Sequence, residues 1–217
     1  MVRLVVDDQE ITATGGQPLL QVCLQNGIYI PNLCFLEEDT RPPASCRLCF
    51  VEIADRPDPM PACTVPVVQG MQVKTDTSAV RRLQRSALKL LLSVHHVDCK
   101  HCHAHRACAL QQIAKFLKTG LHAKPLPNLA RPVEVDRSHP HIDHYPHRCV
   151  LCGKCIKVCR NHNHQPALTF AGRGIDTRVS YYPLENGGLP DCLDCHRCVA
   201  ICPVGALQLR EPVESGY

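Results

Sequence analysis

Apolar and polar positions alternate from Val2 to Val6 and again over Ile11 to Ala13, the period of strands with one buried face, and Asp7-Asp8 between them supplies a hairpin turn. Gly15-Gly16 ends that pattern. Pro18 then opens a helix predicted over Leu19 to Asn26, with Gly27 closing it. Strand patterns return at Phe50 to Ile53 and Met71 to Lys74, so residues 1–76 are expected to form a small β-rich unit enclosing one helix. Beyond it the period lengthens. Val80, Leu83, Ala87, Leu90, Leu91 and Val94 recur at helical spacing from Ser78 to Val94, behind an N-cap at Thr77 or Ser78. Arg81, Arg82, Arg85 and Lys89 fall together on a stripe expected to be solvated. A second helix is predicted over Ala107 to Lys118, with Leu110, Ile113, Ala114 and Leu117 turned inward and Gly120 as its C-cap.

Residues 121–147 lose all periodicity. Pro125, Pro127, Pro132, Pro140 and Pro146 forbid a long helix, and the stretch reads as an extended connector whose His139, His141, His144 and His147 face solvent or bond backbone. Over 148–217 a hairpin is predicted from Ala167 to Ala171 and Ile175 to Tyr181 around Gly172-Arg173-Gly174. A turn at Asn186-Gly187-Gly188 and a short strand over Val204 to Leu207 complete the pattern. The expected divisions are therefore 1–76, 77–120, 121–147 and 148–217.

The cysteines change this picture most. Two runs share one spacing, Cys149-x2-Cys152-x2-Cys155-x3-Cys159 and Cys192-x2-Cys195-x2-Cys198-x3-Cys202, the second followed by Pro203. In a bacterial ferredoxin run three thiolates hold one cubane and the fourth reaches the other. Cys149, Cys152 and Cys155 are accordingly paired with Cys202, and Cys192, Cys195 and Cys198 with Cys159, giving two 4Fe-4S clusters. Zinc sites have no use for the third cysteine of each run, and disulfides call for an oxidising compartment. Upstream, Cys34-x11-Cys46-x2-Cys49-x13-Cys63 combines a close pair with two distant thiols, which suits a planar 2Fe-2S cluster, with a four-cysteine zinc site as the alternative. Cys23 lies outside the pattern on the apolar side of its helix and reads as a small buried hydrophobe. Between these sets stands His95-x3-Cys99-x2-Cys102-x5-Cys108, three thiols that an imidazole could complete for a third 4Fe-4S cluster. His95 is favoured, while His96, His101, His103 and His105 are rivals that spacing leaves in play, as is zinc bound by the CxxC pair and two histidines.

Composition bears on partners. Sixteen cysteines in a chain of 217 residues with 4% aromatics and no Trp imply cofactors that staple small domains. The formal charge of +4 invites nucleic acid. Four clusters would add roughly −7 and leave about −3, so on this expectation the basic surplus balances cofactors. Finger spacing is lacking and stacking aromatics are sparse, which weighs against a zinc-rich nucleic-acid module. With no signal-peptide layout and no apolar run of membrane-spanning length, a soluble cytoplasmic protein with reduced, metal-bound thiols is expected.

The order of motifs, one two-iron set followed by three cubane sets, resembles the N-terminal region of the complex I large iron-sulfur subunit. It also resembles the N-terminal arm of iron-only hydrogenases and the small diaphorase iron-sulfur subunit of NAD-reducing hydrogenases. Gly27-Ile28-Tyr29-Ile30-Pro31 before Cys34, Cys46-Arg47-Leu48-Cys49 leading into Val51-Glu52, and Gly172-Arg173-Gly174 carry the likeness. The chain departs from it where Ala44 or Ser45 replaces a usual Gly, where His96 replaces the Pro after the ligand His, and where His105-Arg106 replaces a Gly-Gly pair. The resemblance implies an α+β fold with three parts: a β-grasp 2Fe-2S ferredoxin domain, a small helical domain whose 4Fe-4S cluster has one His and three Cys ligands, and a two-cluster 4Fe-4S ferredoxin domain. It implies an electron-transfer subunit between a flavin/NAD(P)-binding iron-sulfur subunit and a catalytic metalloenzyme subunit, of hydrogenase or formate dehydrogenase type, with a benzoyl-CoA-reductase-type complex as the alternative. The chain shows no GxGxxG, no P-loop and no cysteine set for a hydrogen-activating cluster, so no catalytic site of its own is expected.

Overall fold

The structure, a computed structural model, describes residues 1–39, 41–163, 166–182, 192 and 195–210. The chain divides into two compact units, Met1–Leu91 with Gln111–Leu126, and Leu92–Leu110 with Pro127–Tyr217. The stretch 77–120, expected as a unit of its own, is shared between them.

The first unit is built on a five-stranded mixed sheet. β1 (Val2–Val6) and β2 (Gln9–Ala13) pair antiparallel, Leu4 opposite Ile11. Their turn residues Asp7 and Asp8 both take positive φ, 48° and 72°, the two-residue geometry that matches strand twist. An Asp7 carboxylate oxygen accepts the Thr75 N–H at 2.8 Å and Asp8 meets Lys74 at 2.7 Å, which pins the turn beside β5. β3 (Phe50–Ile53), the short β4 (Met60–Pro61) and β5 (Gln72–Lys74) complete the order β2-β1-β5-β3-β4, with β5 parallel to β1 and antiparallel to β3. That central last strand is the connectivity of a β-grasp. Alternation decides the core: Leu4, Val6, Ile11, Val51, Ile53 and Val73 point to one side, against Leu19, Leu20, Val22 and Cys23 of α1 (Leu19–Gln25). Helix α1 ends as predicted, with Gly27 at φ 75°, the Gly27 N–H on the Leu24 carbonyl and the Ile28 N–H on the Cys23 carbonyl.

Helix α2 (Ser78–Ser93) is capped by Thr77, whose hydroxyl accepts the Val80 N–H. Its buried face differs from the predicted one. Leu90 is 60% exposed, whereas Gln84, Leu88 and Leu92 join Val80 and Ala87 inside. Its basic residues are partly employed: Arg81 lies over the Phe116 ring at 4.2 Å, and Arg85 Nε donates to the Leu117 carbonyl, so both serve the open end of α3 (Ala109–Phe116). That helix closes at Lys118, φ 50°, with the Thr119 N–H on the Ala114 carbonyl; Gly120, the expected cap, lies beyond.

In the second unit, β6 (Ile142–His144) pairs antiparallel with β9 (Leu207–Leu209), and β7 (Leu168–Ala171) with β8 (Arg178–Tyr181). The predicted strand over Val204 to Leu207 begins only at Leu207, because Pro203 to Ala206 form a turn. The turn expected at 186–188 lies outside the described residues. Helices α4 (Lys154–His162) and α5 (Arg197–Ala200) each follow the opening cysteines of a run, and α4, β6, β7, β8 and β9 supply Ile156, Ile142, Leu168, Val179 and Leu207 to a core shared with Cys155 and Cys159. Among the described residues no helix is long and apolar enough to cross a membrane.

Candidate metal centres

Cys34, Cys46, Cys49 and Cys63 are all buried in the first unit. Cys46 and Cys49 flank Arg47 at φ 53°, and Cys63 sits in a 3-10 turn, Ala62–Thr64, tied to Cys49 by the Ala62 N–H on its carbonyl at 2.8 Å. The thiols fall into two pairs. The Cys34 and Cys46 sulfurs are 3.5 Å apart, and the free Cys49 thiol is hydrogen-bonded with that of Cys63. Hydrogen bonding from Cys46 pulls Cys34 down to about 5, while Cys46 and Cys49 are pushed well up, first by the hydrogen bond within each pair and then by burial. Cys23 stands apart in the core, its thiol raised to about 12 by burial and then by Asp7.

The two ferredoxin runs make two cavities in the second unit. One is lined by Cys149, Cys152, Cys155 and Cys202, the other by Cys159, Cys192, Cys195 and Cys198. Each thus takes three thiols from one run and one from the other. Positive-φ residues inside the motifs, Leu151 at 52°, Gly153 at 77° and His196 at 40°, bend the loops around them. Burial raises Cys149 to about 11, Cys152 to about 12 and Cys155 further; in the second cavity burial and then Cys159 raise Cys198 to about 12. Backbone supplies donors to sulfur: the Ala206 N–H to Cys202 and the Ala167 N–H to Cys159, both at 3.3 Å, with Asn163 Nδ2 to Cys159 at 3.5 Å. The sulfurs stand around a space; among the described residues no three His, Cys, Asp or Glu side chains gather into a site for a single ion. Soft thiols, an apolar wall and N–H donors aimed at sulfur fit an iron-sulfur cluster.

The third set follows α2. His95 Nδ1 lies 2.9 Å from the Arg148 carbonyl, which can only accept, so the neutral ring carries its proton on Nδ1 and leaves Nε2 with a free lone pair. Burial lowers the ring to about 4. The rivals are otherwise placed: His101 is exposed with Nδ1 on Asp98 at 2.9 Å, His103 and His105 are exposed, and His96 stacks edge-on with His147. Cys99 opens a 3-10 turn, Cys99–His101, Cys102 follows it, and Cys108 immediately precedes α3. The loop is held against the dicluster segment by the Ala109 N–H on the Pro203 carbonyl. Gly205, at φ 65°, permits that approach: a Cβ there would come within 2.6 Å of Ala104 Cβ and 3.3 Å of Cys102 Sγ.

The connector's histidines meet the expectation in part: His139 and His147 bond backbone, whereas His144 is buried without such a bond. His139, His144 and His147 are buried, and β6, which carries His144, is buried at every residue. His147 Nδ1 meets the Glu134 carbonyl, but His139 lines the cavity of Cys159, Cys192, Cys195 and Cys198, and His144 lines the other. Tyr181 of β8 joins His139 there, ring centroids 4.7 Å apart. The proline-rich surroundings of these histidines concealed a buried strand, and only the alternating Ile142 hinted at one.

Residues 1–78 match the family described as a 2Fe-2S iron-sulfur cluster binding domain, and residues 148–206 match the 4Fe-4S dicluster domain. The chain is 31% identical over 209 residues to the NADH-ubiquinone oxidoreductase 75 kDa subunit of Reclinomonas americana, covering 95% of this chain and 29% of that one. It is 30% identical over 217 residues to the NADP-reducing hydrogenase subunit HndD of Solidesulfovibrio fructosivorans, covering 97% and 36%. A chain in the crystal structure of an NAD+-reducing NiFe-hydrogenase in the H2-reduced state superposes with a TM-score of 0.83 at 28% identity, covering 100% of this chain and 90% of that one. The chain spans about a quarter to a third of the length of the curated relatives it matches. With a 2Fe-2S domain at one end of the matched region and a 4Fe-4S dicluster domain at the other, it is a multi-cluster iron-sulfur chain that resembles subunits of NADH-ubiquinone oxidoreductase and of NAD(P)-reducing hydrogenases.

Proposed function

We propose that this chain is the electron-transfer subunit of an NAD(P)-linked oxidoreductase, relaying single electrons between a flavin/NAD(P)-binding iron-sulfur subunit and a catalytic metalloenzyme subunit of hydrogenase or formate dehydrogenase type. It would hold one 2Fe-2S cluster on Cys34, Cys46, Cys49 and Cys63. Three 4Fe-4S clusters would sit on His95, Cys99, Cys102 and Cys108; on Cys149, Cys152, Cys155 and Cys202; and on Cys192, Cys195, Cys198 and Cys159. The last three of these four sets all lie in the second unit, Leu92–Leu110 with Pro127–Tyr217. Such clusters supply one-electron redox chemistry, with potentials set by charge, burial and hydrogen bonds to sulfur. The chain's own residues fix where they sit: thiolates ligate, Arg148 orients His95, and the Ala206 and Ala167 N–H groups bond ligand sulfurs.

The observation that carries this reading is the exchange of the fourth cysteine between the two cavities. Zinc coordination would have no need of it. Pairing of the first four thiols, Cys34 with Cys46 and Cys49 with Cys63, supports two sulfurs per iron there. Anaerobic purification followed by iron and labile-sulfide analysis should give about 14 iron atoms per chain, and mass spectrometry of the intact complex should find a flavin-binding partner. A colourless zinc protein without sulfide would sink the cluster reading, and a chain recovered alone would count against the relay.

A further inference from the structure

His139 is fully buried, with 0% of its surface exposed, and its Nδ1 accepts the His141 backbone N–H at 3.1 Å. That bond fixes the tautomer: the ring's proton must sit on Nε2. Nε2 is itself buried and has no partner among the described residues. The Tyr181 hydroxyl is in the same position, buried and unpartnered among the described residues, on the ring packed against His139. Both side chains line the cavity of Cys159, Cys192, Cys195 and Cys198. A buried donor left without an acceptor is destabilising, and the acceptors this cavity is built to receive are sulfurs.

We infer that His139 Nε2–H and Tyr181 O–H donate hydrogen bonds to the cluster held by Cys159, Cys192, Cys195 and Cys198 and raise its reduction potential. The inference rests on the cluster assignment proposed above. An added electron increases the negative charge on sulfur, so fixed donors stabilise the reduced form more than the oxidised one; no proton is transferred. His144 in the other cavity is buried too, but its Nδ1 faces the Asp136 carboxylate at 3.9 Å, which favours the ring proton on Nδ1 and gives no reason to place a donor on Nε2.

The test is an EPR-monitored redox titration of the full, iron-loaded chain. Cys195→Ala first identifies the signal of this site; if every signal survives it, the cluster assignment fails and takes the inference with it. Against that assigned signal, Tyr181→Phe and His139→Leu should each make reduction about tenfold less favourable, about 59 mV for one electron, and leave the other signals in place. His139→Gln, which retains an N–H donor, should recover part of the loss. A signal of full intensity with an unmoved midpoint removes the donor concerned, and unmoved midpoints in both variants overturn the inference. Should His139→Leu lose the signal altogether, Tyr181→Phe decides, since it removes one oxygen and no bulk.

Discussion

The two units bury their cysteines in opposite ways. In the first, the candidate two-iron thiols lie in a core that Leu4, Val6, Leu19, Leu20, Val51 and Val73 already fill from a sheet and a helix. In the second, the apolar core is small, Cys155 and Cys159 belong to it, and the thiols surround cavities at its centre. A site that is a minor part of a large apolar core can be emptied without removing the core. A site that is the core cannot, because the groups around it lose both contacts and charge compensation together.

Iron removal should therefore split the molecule's behaviour. After chelation under reducing conditions, amides of β1, β2 and β5 should stay protected in hydrogen exchange, while those of β6 and β9 exchange as in an unfolded chain; simultaneous loss in both units would erase the contrast. Single thiols should sharpen it next. Cys152→Ala should remove one four-iron signal and about four iron atoms and lower the protection of β6, whereas Cys34→Ala should remove the two-iron signal and leave the β1-β2 hairpin protected. Packing tolerance should differ as well. Gly205→Ala places a methyl 2.6 Å from Ala104 at a positive φ, and should cost the second unit about 2–4 kcal/mol in denaturant titration. The smallest effect lies in the first unit. Lys118 holds the left-handed closing position of α3, so Lys118→Gly should raise stability by about 1 kcal/mol, read from the shift in unfolding midpoint.

Sequence reasoning reached furthest where one local rule decides the outcome. The Val2 to Ala13 hairpin follows from alternation and two aspartates that tolerate positive φ, and the cysteine spacing anticipated which thiols would line which cavity. It fell short where several residues satisfy the same rule. Leu88, Leu90, Leu91 and Leu92 offer α2 more than one apolar stripe, and packing chose the one with Leu88 and Leu92. Gly120 and Lys118 competed to end α3, and Lys118 ended it, its strain offset by the Thr119 bond to Ala114. The histidines at 139 and 144 were hidden for another reason: a polar residue enters a core only when something there answers it, and no local pattern records what fills a cavity.

The crossing of cysteines between the two runs also orders events during synthesis. As the chain leaves the ribosome, the first run appears with three thiols of one cavity and the fourth of the other, and neither can close. The cavity that needs Cys159 is complete once Cys198 has emerged, whereas the cavity begun by Cys149 waits for Cys202. The site started first is finished last, so a ribosome stalled between the runs would present the first run's thiols with no closed site.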